Sequence, residues 1–279
     1  MSLNTVKLLA PCSYQGGKQR LAVQICDIIC NREGSDFVFY DLCCGSGAVS
    51  LEMINRGYSV IMVDKGPFGS VWESIGNNEF NIDIFKREIE KLPDVSEIQG
   101  YLKELSNQPI DKNLFIYHYL LLQAGAFGSK QIWVKDGKWC NNTFRSYWLP
   151  TETSNRKSPV NPMMPMPETL YDRICKIIIY SEKIKGYNID IFDSIDIIKN
   201  ENRRKVIYID PPYKDTTGYF ETFDIYEVLK ELQGEIVYIS EGDSFDNCES
   251  IILSKGRTKG NVNGVVKKQG VCEVLNILK

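Results

Sequence analysis

Residues 37–47 read Phe37-Val38-Phe39-Tyr40-Asp41-Leu42-Cys43-Cys44-Gly45-Ser46-Gly47, an apolar run that ends in an acid and then in small residues. A run of this length bounded by glycine reads as a buried strand. Residues 48–56 follow with helical character; Ser46 is placed to cap that helix and Gly57 to close it. A second apolar run, 59–63, again ends in an acid, Asp64. The three pieces make a β-α-β unit with acids at its strand ends, the start of an open α/β sheet. Small residues just past a strand let a ligand approach the backbone at the carboxyl edge of such a sheet. The dinucleotide fingerprint asks for a third glycine where Ser50 stands, which argues against a pyrophosphate. A ligand without phosphates, carrying an amino-acid end and a ribose, fits better, with Asp64 accepting from the ribose hydroxyls. A tight turn with a packing glycine leaves the same short pattern, so this motif alone does not name the ligand.

Working outward, residues 69–119 are amphipathic with helical spacing, and 124–167 have little periodicity but many Gly, Asn, Ser, Thr, Pro and aromatic residues. An irregular stretch of that length inside a compact domain is usually functional. Helical character returns over 168–179. Strands follow at 187–191, 206–209 and 236–240, with a helix near 225–232. Residues 264–268 and 271–277 flank Gln269-Gly270 and read as a terminal antiparallel hairpin. The expected architecture is a Rossmann-like α/β sheet in a domain of residues 1–75 and 165–279. An inserted, mostly helical and irregular lobe occupies 76–164.

The composition narrows the class. With 43% hydrophobic and 25% charged residues the chain reads as a soluble globular protein. It has no apolar stretch of membrane-spanning length and no secretory pattern, so no membrane partner is expected. Nine cysteines without a CxxC pair, and a single histidine, His118, offer no zinc spacing. No metal is expected; reduced thiols in the cytoplasm are. His118, among Tyr117, Tyr119 and Leu120, reads as structural.

A second motif is Val206-Ile207-Tyr208-Ile209-Asp210-Pro211-Pro212-Tyr213. Two prolines cannot continue the strand's ladder and fix the backbone just past it. Pro211 donates no N–H, so its carbonyl and the Asp210 carboxylate can both present acceptors to one amino group. Tyr213 adds a flat face. Acceptors beside a ring form a receptor for a planar base with an exocyclic amino group. A plain edge-strand terminator is the blander reading.

Three separated segments now stand in order: Ser13-Tyr14-Gln15-Gly16-Gly17-Lys18, then Asp41 to Gly47, then Asp210 to Tyr213 followed by Thr216-Thr217-Gly218-Tyr219. Together they resemble the Dam-type (alpha-group) DNA adenine-N6 methyltransferases, with phage or prophage a candidate origin. The resemblance covers the N-terminal quarter and the C-terminal third. It implies an S-adenosylmethionine-dependent enzyme that methylates N6 of a flipped-out adenine in DNA. Its partner would be double-stranded DNA, with a cognate restriction nuclease a candidate companion and a monomer the expected state. Tyr14 and Lys18 would help hold the cofactor, although tryptophan is usual at the Tyr14 position. Asp41, Gly45, Gly47 and Asp210 complete the cofactor set with Asp64 on the ribose. Asp190 would sit beside the cofactor adenine, with Asp193 as the competitor. Asp210, Pro211, Pro212 and Tyr213 would form the catalytic group. Cys43 and Cys44 stand where the family often has an apolar or aromatic residue, and read as structural.

The net charge of −3 argues against indiscriminate coating of nucleic acid, but charge is uneven. Residues 129–160 hold Lys130, Lys135, Lys138, Arg145, Arg156 and Lys157 against only Asp136 and Glu152. With Trp133, Trp139, Phe144, Tyr147, Trp148, Asn141 and Asn142, residues 128–159 read as the DNA-recognition surface, the proposed contacts being Lys130, Lys135, Lys138, Asn141 and Arg145. A packed loop with solvated charges is the alternative. The basic tail around Lys255, Arg257, Lys259, Lys267 and Lys268 is a second candidate surface. Glutamine-modifying protein methyltransferases begin the tetrapeptide with Asn, so Asp210 counts against them. An RNA adenine and a catalytically inert DNA-binding relic remain as rivals.

Overall fold

The computed structural model describes residues 7–212, 223–246, 248–254 and 272–279. Tyr213, the Thr216 to Tyr219 segment, the first expected hairpin strand (264–268) and the basic tail lie outside them.

The chain runs through Ala22–Glu33 (α1), Val38–Leu42 (β1), Ala48–Asn55 (α2), Val60–Val63 (β2) and Pro67–Gly76 (α3). Three helices follow, Ile82–Glu90 (α4), Ile98–Asn107 (α5) and Phe115–Gly125 (α6), then the small strands Trp133–Lys135 (β3) and Lys138–Cys140 (β4). Pro167–Ile178 (α7), Ile184–Tyr187 (β5), Ile191–Lys199 (α8), Lys205–Ile209 (β6), Ile225–Glu231 (α9) and Val237–Glu241 (β7) restore the alternation. Glu249–Ser254 (β8) and Glu273–Leu278 (β9) close it.

The central sheet has the order β5-β2-β1-β6-β7-β9-β8. The first five strands are parallel; β9 runs antiparallel to both β7 and β8. This mixed, mostly parallel sheet is compatible with a Rossmann-like methyltransferase. At the sheet edge β9 pairs with β8; the expected hairpin strand at 264–268 is not among the described residues.

Every residue of β1 is buried, as a parallel strand covered on both faces must be. Its side chains alternate between two cores. Phe39 faces one core with Ile25 and Ile29 of α1, while Tyr40 and Leu42 face another with Ile198 of α8 and Val228 of α9. The same period-two split runs through Val206, Ile207, Tyr208 and Ile209 of β6. Residues of α4, α5 and α6, among them Phe85, Leu102 and Tyr119, belong to the first of these cores. Phe68 of α3 joins the layers, stacked on Trp72 and edge-on to Tyr119. Such ring pairs add about 0.5–1.5 kcal/mol beyond the area they bury.

Two local expectations need correction. Ser46 does not cap α2: the N-cap is Gly47 in the left-handed region, with no side-chain cap. The region read as a strand at 187–191 is shifted, with β5 ending at Tyr187 and α8 beginning at Ile191.

Candidate functional site

Strand order reverses between β1 and β6: from β1 the chain's next sheet strand lies on one side, and β6 on the other. Beyond the carboxyl ends of strands at such a point a crevice opens. Here it is a cleft of about 1090 Å³, mouth included.

Asp64 shapes its floor. One oxygen accepts from Gly45 N at 2.8 Å and the other from Gly66 N at 2.7 Å. Burial pushes its carboxyl above the usual range while these amides pull it back. Each oxygen keeps a lone pair for a hydroxyl donor. A Cβ on Gly45 would stand 2.6 Å from the Tyr14 ring, so only glycine lets that ring lie on the loop. Gly47 does not border the cleft; a Cβ there would strike Met62 and Trp72. Its place is to seat the start of α2. Cys43 and Cys44 border the cleft, and burial holds both thiols well above their ordinary pKa.

Asp41 is buried under α2, where its Oδ2 accepts from Ser50 Oγ at 2.7 Å and Ser50 N at 3.2 Å. Its Oδ1 is buried without a hydrogen-bond partner among the described residues. Burial pushes this carboxyl up to about 7, with the Ser50 bonds pulling down and Asp210 adding to the rise. A buried acceptor left open at a cleft wall calls for a donor. An ammonium group would satisfy it.

Lys18 is 5% exposed, and its Nζ donates to Asp210 Oδ1 at 2.7 Å and to Gly16 O at 2.9 Å, with Glu273 Oε1 at 3.4 Å. Burial opposes its charge, but the Asp210 and Glu273 carboxylates prevail and hold its pKa above the ordinary lysine value. Burial pushes Asp210 up to about 6; Lys18 draws it down, and Glu273 and Glu241 draw it up. Pro212 borders the cleft, whereas Pro211 is buried and does not.

Asp190 borders the cleft with Ile189, Ile191 and Phe223. It caps α8 through Phe192 N and pairs with Lys65 at 3.0 Å. Burial would raise its pKa, but these two contacts lower it below the usual value. Asp193 is exposed on α8 and does not border the cleft.

Several of residues 128–159 are turned inward and do not form an exposed recognition surface. Trp139, Phe144 and Tyr147 are core residues, Trp139 stacking on Phe115 at 5.2 Å and Tyr119 at 6.3 Å. Asn141 turns inward, its side chain donating to Gln131 O at 2.9 Å. Arg145 is partly buried and donates to Ser129 Oγ at 3.0 Å; burial lowers its pKa. Lys130, Lys135 and Lys138 are exposed, and the last two face each other across β3 and β4. Trp148 is 46% exposed. His118 meets Glu88 at 3.2 Å, away from the cleft.

Sequence reasoning missed Gln131, Ile132 and Glu273, and it read Trp133 only as part of the DNA-recognition surface. Gln131, Ile132 and Trp133 form part of the cleft wall. They are held by the buried amide of Gln123, which donates to Lys130 O at 3.0 Å and accepts from Ile132 N at 2.9 Å. The β3–β4 turn was legible: Asp136-Gly137 has φ 52° and 72°, and an Asp-Gly pair between alternating residues is a hairpin signal. Glu273, beside Lys18, carried no motif at all.

Residues 14–118 match the family model of the D12 class N6 adenine-specific DNA methyltransferases. The match takes in Tyr14, Lys18, Asp41, Gly45 and Asp64, and stops before the β3–β4 hairpin and Asp210. It indicates an adenine-specific DNA methyltransferase enzyme, consistent with the Dam-type resemblance of the three motifs. D12-type enzymes generally use S-adenosylmethionine. No curated protein matches the chain. Among the described residues no helix is long and apolar enough to cross a membrane, and no His/Cys/Asp/Glu group could hold a metal ion.

Proposed function

We propose that the chain transfers a methyl group from S-adenosylmethionine to N6 of an adenine flipped out of double-stranded DNA, at a specific sequence. The observation that carries this reading is the meeting of Lys18, Asp41, Asp64 and Asp210 around one cleft. The cleft suits that cofactor chemically. Asp41 Oδ1 is an open acceptor for the amino-acid ammonium, Asp64 has lone pairs for the ribose hydroxyls, and Asp190 with its apolar neighbours borders a site for a flat base. When bound, S-adenosylmethionine supplies an already activated methyl group, so no covalent enzyme intermediate is required.

The protein's part is orientation and charge. The adenine amino nitrogen is a poor nucleophile because its lone pair is delocalised into the ring. Asp210, ionised above a pKa of about 6, accepts an N–H and turns the nitrogen toward the cofactor. It also faces the positive charge that develops on nitrogen, stabilising it without first removing a proton; the surplus N6 proton leaves to Asp210 or to water once the methyl has moved. Pro212 and the backbone fixed by the two prolines hold that carboxylate at the end of β6. Lys135 and Lys138 at the hairpin tip suit DNA phosphates, while Trp133 at its root borders the cleft.

Purified protein incubated with methyl-labelled cofactor and adenine-containing duplex tests the reading. Label on N6 of adenine is expected, and Asp210→Ala should remove most of it while the fold persists. Label on RNA only, on protein, or nowhere would overturn the assignment.

A further inference from the structure

The last strand brings a carboxylate to the site. Because β9 runs antiparallel to β7, its first residue, Glu273, lies at the edge where the parallel strands end. There its Oε1 stands 3.4 Å from the Lys18 ammonium that also donates to Asp210 at 2.7 Å. Lys18 and Glu273 are 5% and 14% exposed, so this contact is largely withdrawn from solvent. The arrangement poses a chemical problem. An acceptor held by an ammonium is poorly available to an incoming amino group, yet a buried ammonium cannot be released without another partner.

Resting on the adenine-methylating reading, we propose that Glu273 is a positioning residue that shares the Lys18 ammonium with Asp210, so that Asp210 can turn to the substrate amino group while the positive charge stays beside it. A displacement of about half an ångström brings the Lys18 and Glu273 atoms into ordinary hydrogen-bond range. Gly16 O, at 2.9 Å, keeps the ammonium tethered during that shift. Glu273 touches Lys18 and acts on the reacting atoms only through it. The charges around Asp210 are consistent with such a shared cation. Lys18 brings a positive charge; Glu241 on β7 and Glu273 on β9 bring negative ones, while Asp41 on β1 ionises only as pH rises through about 7, and the Tyr208 hydroxyl and Cys43 thiol are neutral nearby. Glu273 and Glu241 both raise the Asp210 carboxyl pKa, opposing Lys18.

The test follows the Asp210 carboxyl titration by carbon-13 NMR in the full chain, with Asp210→Asn to assign the signal, beside single-turnover methyl transfer across pH. Glu273→Gln is expected to lower the Asp210 midpoint by about half a pH unit or more, because a neighbouring negative charge is gone. The acid limb of the transfer rate should move with it. The plateau rate should fall roughly ten- to a hundredfold, while the dissociation constant for S-adenosylmethionine changes less than about twofold. Glu273→Asp, which keeps the charge on a shorter stem, should restore the midpoint and part of the rate. It also serves as the second variant if Glu273→Gln does not fold. An unchanged midpoint, or a rate loss equal at every pH, would overturn the proposal. A shifted midpoint in a protein whose wild type methylates no adenine would leave the charge sharing intact and bring down the adenine reading instead.

Discussion

The indole N–H of Trp72 donates to the carbonyl of Gly45 at 2.8 Å. The amide of that same glycine donates to Asp64, so both backbone polar groups of Gly45 are held by side chains that follow β2, Asp64 just past the strand and Trp72 on α3. The loop is thereby fixed before any ligand arrives. Trp72→Phe leaves the Gly45 carbonyl without its donor in a buried setting, a loss of about 1–3 kcal/mol. Urea unfolding should show that loss, and calorimetry a weaker cofactor. Equal stability of the variant would contradict the role given to the indole.

Asp64 holds the glycine loop and, on the proposed reading, also accepts from the cofactor ribose. Asp64→Ala removes the acceptor for Gly45 and Gly66 as well as for the ribose, so both stability and affinity should fall, the affinity by about 1–3 kcal/mol. Asp64→Asn keeps one carbonyl acceptor and should lose less of each. Calorimetry of the three proteins with S-adenosylmethionine measures the order; an Asn variant no better than the Ala variant would refute it.

Asp41 should make the cofactor-free protein pH-sensitive. Its folded carboxyl is pushed up to about 7 from 3.8, so the folded state holds this proton more tightly than the unfolded chain. The stability it contributes is full below the unfolded value and is lost as pH rises through 7. Tm should therefore fall more between pH 4 and 8 in wild type than in Asp41→Asn. Cofactor affinity should run the other way, tighter at pH 8 than at pH 6, because an ammonium favours the ionised acid. Parallel curves for the two proteins would remove Asp41 from both effects.

Lys135 and Lys138 are strand partners at the tip of the hairpin. If they meet phosphates, changing both to Gln should weaken DNA binding and reduce the salt slope by up to about 1.8, without altering cofactor affinity. Arg145→Ala should relax discrimination among sites if its guanidinium reads a base, and weaken all sites alike if it grips phosphate. DNA titrations at several salt concentrations distinguish these. No change in affinity or slope for any of the three would move recognition elsewhere.

The parallel core was legible because its strands are buried on both faces and stand out as apolar runs ending in acids. Asp41, Asp64 and Asp210 could be found for the same reason: each sits where an apolar run stops. Residues 128–159 were harder to read. Phe115, Tyr119 and Trp139 come from a helix and a hairpin, and only their stacking shows that the aromatics of residues 128–159 are partly core and not wholly surface. Strand β8 escaped because its half-exposed residues lack a buried run, and it acquires a strand's ladder only by pairing with β9. Glu273 escaped because its importance comes from strand direction, which local pattern does not encode. Asp190 was separable from Asp193 only once α8 showed which acid caps the helix beside the cleft and which points outward.

Gln123 stitches the end of α6 to Lys130 and Ile132, while the neighbouring residues Gln131 and Trp133 already stand in the cleft wall. Anyone transplanting a hairpin from another chain onto this scaffold therefore faces a splice-point constraint. Cutting at the visible ends of the hairpin would sever the stitch and leave two backbone groups and a buried amide without partners. A graft that begins upstream of Gln123 carries its own fastening, so the useful exchangeable unit is longer than the segment that stands out on the surface.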